Sequence, residues 1–265
     1  MGTLGERGVR EVTTSSLRPE AGTDLETASI VCLLSVMDSI DQHEPGGEGR
    51  CRRIALHAVA TARAMLQPSN VVELVRLGAL FCNIGMITVP EELVSKRGQL
   101  SDLEWQLIQQ HPLRSTEILA ALPHLREVLP AVLHHHENWQ GDGYPHKLSG
   151  EQIPIGARII RVADTYEALI SLRPYRPAYS SQEAVQFLVR GMGAQFDPRV
   201  VKTFVRQLER VASGDDLLEH WTTLQGEARL QRVMTSIPLR KRSPQGGAGT
   251  GLLGRTGATS EGAQS

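Results

Sequence analysis

Nine histidines stand in this chain, and three of them are consecutive: His134, His135 and His136, with Glu137 directly after. His111 lies upstream, and Asp164 lies downstream inside the apolar segment RIIRVADTYEAL. A carboxylate set among Val162, Ala163 and Leu169 is costly to bury unless it is paired or bound to a metal. Imidazoles with a carboxylate form a donor set for Zn, Mn, Fe or Ni. If the histidine run lies on a helix, successive side chains point about 100° apart, so the three cannot all face one ion. His134 is then the odd one, an exposed or hydrogen-bonded histidine. For His111, His135, His136 and Asp164 together, spacing leaves two outcomes open: a metal centre, or a neutral hydrogen-bonded cluster without metal.

Helices must position these groups. Ile30, Leu33, Leu34 and Met37 recur at three- and four-residue spacing and predict a helix over 25–40. Ile54, Ala55, Ala58, Ala62 and Met65 do the same over 50–66, and Val71 to Phe81 is apolar on most faces. Ser101 with Glu104 forms a capping box that opens a helix through His111. Pro112 then kinks that helix or starts a new one. A long helix is expected over 153–172, a second capping box at Ser180 and Glu183, and an N-cap at Asp197 before Pro198. No run alternates with period two, so the fold class is all-α. Residues 1–24 read as a flexible arm, 213–235 as a closing amphipathic helix, and 236–265 as a disordered Gly- and Ser-rich tail. The arm is too short for a receiver or sensor domain. Leu217, Leu218, Trp221 and Leu224 form a stripe that suits either core packing or a homodimer.

The 265 residues suffice for one domain with a substantial core. A net charge of −1 provides no field for gathering nucleic acid or anionic membrane. Three cysteines without a CxxC pair argue against a disulfide scaffold and for a reducing compartment, the cytoplasm. No signal peptide and no apolar stretch of 18 or more residues are read from the sequence, so no membrane span is expected.

Between two helical segments lies a loop, 138–152, with Gly141, Gly143, Pro145 and Gly150. From composition it is a surface loop or a place where backbone approaches a ligand. Here order and spacing add a resemblance. HHE, GxGYP, VAD, RPYR and QFDP follow one another between residues 135 and 198, and LGALFCNIGMITVP precedes them. Over about residues 25–210 the chain resembles the HD-GYP family. The resemblance implies an HD-superfamily helical bundle, two or three metal ions, and hydrolysis of cyclic di-GMP.

Residue by residue, that implication fails at several places. The family's His-Asp pair falls on Cys82 and Asn83, and its following lysine on Met86. An earlier metal-binding histidine falls on Gly47, while Arg50 is kept; the aspartate before GxGYP is Gln140. The family's other ligands match His111, His135, His136 and Asp164. A bridging aspartate offsets the repulsion between two cations and helps to generate hydroxide, and Asn83 cannot do that. The expectation is therefore no intact catalytic set, and at most one divalent metal (Fe, Mn or Zn) on the three histidines, with Asn83 or water completing its shell; a metal-free cluster stays open. The resemblance also implies Arg173 and Arg176 as partners of ligand phosphates, although Arg173 equally suits a structural ion pair, and it places Gly143 and Tyr144 on a ligand- and partner-facing loop. Three functions follow as expectations: a catalytically impaired cyclic di-GMP sensor or interaction module; an active phosphodiesterase with an altered centre; and a scaffold that binds a diguanylate cyclase or another protein through the GYP loop.

Overall fold

The computed structural model describes residues 21–43, 46–172 and 177–212. Residues 1–20 of the expected arm, the closing helix, the tail, the 217–224 stripe, Arg173 and Arg176 lie outside the described residues; the last four residues of the arm, 21–24, instead open the first helix. Among the described residues ten α-helices follow in order: α1 Ala21–His43, α2 Arg50–Ala64, α3 Ser69–Phe81, α4 Glu91–Val94, α5 Asp102–Gln109, α6 His111–Ala120, α7 Leu129–Leu133, α8 Ile155–Ile170, α9 Ser181–Arg190 and α10 Pro198–Ala212. Short 3₁₀ segments, Ile84–Thr88, Pro123–Val128 and Gly150–Gln152, join some of them. The described residues contain no strand, and the fold is all-α.

The centre is α2 packed on α3, with α8 across both and α10 closing over α2 and α8. Small residues set the spacing. Ala55, Ala58 and Ala62 of α2 are fully buried. At Gly78 of α3 an added Cβ would stand 2.9 Å from Ile160 Cδ1, so the Ile160 side chain of α8 packs directly on the α3 backbone. The stripe read on α1 does face this core: Leu34 and Met37 are buried, with Ile30 and Leu33 packed beside them. At its N-terminus, α2 has Gly49 in the left-handed region (φ 66°) and no side-chain cap of its own. Asp41 of α1 supplies one instead, its Oδ2 accepting from Cys51 N at 2.9 Å.

The predicted helix starts hold at the places that position the site. Both capping boxes are formed, at Ser101 and Ser180. Pro112 starts a new helix, α6, rather than kinking α5. Asp197 Oδ1 accepts from Arg199 N at 2.8 Å at the head of α10. One expectation needs correction. The segment Ser69–Thr88, with mean hydropathy 1.6, is long and apolar enough by composition to cross a membrane. Glu73 and Arg76 interrupt it, so it holds no unbroken apolar run of that length. In the fold, α3 ends at Phe81 and the chain turns into 3₁₀ geometry at Ile84. The straight part is about 20 Å long, short of a bilayer core, and its face is packed on α2 and α8.

Candidate metal centre

Two elements bring the histidines together. His111 opens α6; His135 and His136 follow α7, whose helix ends at Leu133. The histidine run is therefore a turn and not a helix, and the 100° argument does not apply to it. His135 and His136 both face His111, with ring centroids at 5.3 and 4.9 Å, while His134 turns away toward His146. Gly85 fixes the remaining wall. A Cβ there would lie 2.2 Å from His111 O and 2.6 Å from Ser115 N, so only glycine lets the segment after Asn83 lie against α6. Ser115 Oγ locks this contact, accepting from Gly85 N at 2.8 Å and donating to Cys82 O at 2.7 Å.

Tautomers follow from the hydrogen bonds. His111 Nδ1 donates to Ile108 O at 2.8 Å, and His135 Nδ1 donates to Val132 O at 2.6 Å, because a carbonyl can only accept. Both Nε2 atoms then present lone pairs to one point, 3.3 Å apart. That separation matches the edge of a tetrahedral shell with metal–nitrogen bonds of about 2.0–2.1 Å. Burial, followed by repulsion from His111, pushes the His135 pKa down to about 3. The ring is neutral at neutral pH, as a ligand must be. His111, His135 and His136 offer ligand atoms within 4.8 Å of one another. His111 and His135 thus fit a single divalent metal well.

His136 is engaged differently. Arg161 Nη1 donates to its Nδ1 at 2.9 Å, and Arg161 Nη2 donates to Asn138 Oδ1 at 3.2 Å. Burial, then His135 and Arg161, hold the His136 pKa well below the usual imidazole range. Tyr144 stacks on the same ring, centroids 4.9 Å apart and planes 13° from parallel. The sequence reading missed Arg161. Its signal was a cation three residues before Asp164 in an apolar run, which places both on one helix face.

Asp164 does not join the histidines. Arg50 Nη2 donates to its Oδ1 at 2.8 Å, and Asn83 Nδ2 donates to the same oxygen at 3.2 Å. An ionised carboxylate only accepts, so the Asn83 amide must turn its nitrogen inward. Burial works against the charge of Asp164, but Arg50, His135, Arg161 and Asn83 outweigh it, and its pKa lies below the usual carboxylate range. Cys82 is buried, and its Sγ–H donates to Ala79 O at 3.6 Å. Burial, then Asp164, raises the thiol pKa well above normal, so no thiolate is offered. Met86 is half-buried on the 3₁₀ segment and Gly47 is buried.

The glycine loop is tied down from both sides. Trp139 N and Gln140 N donate to Gln195 O and Ala194 O, at 3.2 and 2.9 Å. Asn138 and Gln140 amides grip Asp142 at 2.8 and 2.7 Å. At Gly143 a Cβ would lie 2.2 Å from Asn138 N, so this glycine is required by close backbone approach. Gly143 is buried and Tyr144 half-buried.

Residues 35–200 match the family model described as HD domain. The chain belongs to the HD domain family, in its HD-GYP branch. Among curated relatives, a cyclic di-GMP phosphodiesterase of Vibrio cholerae serotype O1 is 38% identical over 149 residues, covering 52% of this chain and 30% of that protein. The cyclic di-GMP phosphodiesterase response regulator RpfG of Xanthomonas campestris pv. campestris is 32% identical over 178 residues, 65% of this chain and 47% of that protein. The chain therefore spans about a third to a half of the length of such relatives. Among solved structures, the cyclic GMP-AMP specific phosphodiesterase V-cGAP3 of V. cholerae superposes with a TM-score of 0.54 at 16% identity, covering 79% of this chain and 54% of that one. Bd1817 of Bdellovibrio bacteriovorus, an HDG"Y"P protein, gives 0.51 at 18% identity, covering 60% and 51%. These two likenesses concern the fold.

Proposed function

We propose that this chain is a catalytically impaired HD-GYP domain of cyclic di-GMP signalling, which binds the nucleotide or a protein partner and does not turn the nucleotide over. The observation that carries the reading is the fate of Asp164. Its Oδ1 is paired with Arg50 and Asn83 inside the protein, and Cys82 and Asn83 add no second carboxylate beside it. A two-metal hydrolytic centre needs an anionic bridge against cation repulsion and a metal-bound hydroxide. The substrate class comes from the relatives, several of which are named cyclic di-GMP phosphodiesterases.

One metal is compatible with the site. His111 and His135 would hold it, with His136 available as third ligand once Arg161 lets go. A divalent ion there would supply Lewis acidity and a charge for ligand phosphates. The protein's own groups orient the site: Ile108 and Val132 carbonyls fix both tautomers, and Tyr144 closes one face of His136. The paired Nε2 atoms favour a second reading, an active phosphodiesterase with an altered mononuclear centre. Cys51 and Cys82 are buried and free and Cys32 is exposed and free, which supports a reducing compartment, the cytoplasm.

The test is cyclic di-GMP binding by calorimetry beside product analysis with Mn²⁺ or Fe²⁺ supplied. Binding without linear dinucleotide or GMP is the expected result. Metal-dependent turnover moves the second reading to first place. A stable protein complex without nucleotide binding leaves the scaffold reading.

A further inference from the structure

His134, which points away from the buried cluster, has its own company. His134, Glu137 and His146 offer one ligand atom each within 4.8 Å of one another. His134 Nδ1 is buried and has no hydrogen-bond partner. Glu137 Oε1 stands 3.5 Å from it, beyond the reach of about 2.7–3.2 Å for an N–H···O bond. A buried imidazole nitrogen without a bond is uncommon enough to need an account. Two donors of this kind around a metal with bonds of about 2.0–2.2 Å stand about 3.3–3.6 Å apart at tetrahedral angles. The 3.5 Å gap has that width.

Glu137 is held for such a role. Its carboxylate is buried, and it accepts from His146 N at 2.7 Å and Leu148 N at 3.1 Å. A carboxylate has about four acceptor positions, so these two bonds aim it and leave lone pairs over. His146 is exposed, and its ring centroid lies 5.2 Å from that of His134. Its side gives an ion a way in and a place for solvent as fourth ligand.

We propose that His134, Glu137 and His146 form a second site for a divalent transition metal, separate from the three-histidine cluster, that clips the glycine loop to the end of α7. Two imidazoles and one carboxylate suit Zn²⁺, and equally Co²⁺ as a spectroscopic substitute. Because Tyr144 precedes His146 by two residues and stacks on His136, an ion in this clip holds the ring that covers the buried cluster. The site does not depend on the nucleotide reading above.

The test is equilibrium dialysis of the full chain against Zn²⁺, with metal counted by elemental analysis, in wild type, His146→Ala and His146→Cys. His146 is exposed, so both variants keep the fold. His146→Ala is expected to lose one equivalent of zinc and His146→Cys, which restores a ligand, to regain it. With Co²⁺ the same pair should lose and regain the absorption of a tetrahedral ion. Equal zinc in wild type and His146→Ala overturns the proposal, whether that common value is one or none. Loss of all zinc in His111→Ala with none lost in His146→Ala does so too, by assigning the metal to the buried cluster.

Discussion

Arg161 Nη1 donates to His136 Nδ1 across 2.9 Å and so occupies the single lone pair of a neutral imidazole. It also brings a positive charge to a cluster beside which the carboxylate of Asp164 is already paired with Arg50. A divalent ion entering the cluster therefore meets one ligand engaged and one like charge close by. Arg161→Met removes both obstacles while keeping an unbranched apolar stem. We expect Mn²⁺ or Zn²⁺ to bind this cluster at least about tenfold more tightly in the variant, read by calorimetry. Unchanged or weaker affinity would show that His136 and Arg161 do not restrain the site.

Asn83 donates its amide to Asp164. Asn83→Asp replaces that donor with a second carboxylate and sets two like charges around one arginine. The apo protein should lose about 1–3 kcal/mol of stability at neutral pH, measured by chemical denaturation with chelator present. Mn²⁺ should restore more of that loss in the variant than it adds to wild type, because the new carboxylate needs a cation. A variant as stable as wild type in chelator would mean that Asp164 is not committed as described.

Much of the fold was legible in the sequence because its long helices carry their own period. The Ile30–Met37 and Ile54–Met65 stripes face the core, and Ser101, Ser180 and Asp197 mark helix starts by capping chemistry. The site was legible only in part. His111, His135 and His136 converge, but the reason lies in a five-residue helix ending at Leu133 and a 3₁₀ segment over Ile84–Thr88, both too short to show a period. Reading the histidine run as helical made His134 a bystander; as a turn, it faces Glu137 and His146. Asp164 is an inward-facing carboxylate, but spacing cannot tell a metal from Arg50, which lies 114 residues away in sequence.

Glu104 closes the capping box at Ser101, and Lys96 Nζ donates to both its carboxylate oxygens at 2.7 Å. The Lys96 bond, then the Ser101 backbone bond, lowers its pKa from 4.5 to about 2. Between those values the unfolded chain takes up a proton that the folded chain refuses, so this contribution is fully present above about pH 4.5 and is lost as the pH falls toward 2. Glu104→Gln should lower the denaturation midpoint at about pH 6 and converge on wild type near pH 2, and high salt should shrink the difference. A gap that persists at the acid end would assign the effect to helix capping alone.

Gly85 meets His111 O at 2.2 Å and Ser115 N at 2.6 Å from where a Cβ would stand, and both neighbours are backbone that cannot swing aside. Gly85→Ala must lift the segment after Asn83 off α6 and strain the two bonds of Ser115 Oγ. Overpacking costs about 1–3 kcal/mol, and a buried donor or acceptor left without its partner costs a similar amount. Ser115→Ala keeps the approach and removes only the bonds, leaving Gly85 N and Cys82 O unsatisfied. The two variants separate the wall from its lock. If the wall positions the centre, Gly85→Ala should weaken metal binding on His111 and His135 beyond what Ser115→Ala does at matched stability. Equal metal affinity in both, by titration well below their thermal midpoints, would mean that α6 alone holds His111 in place.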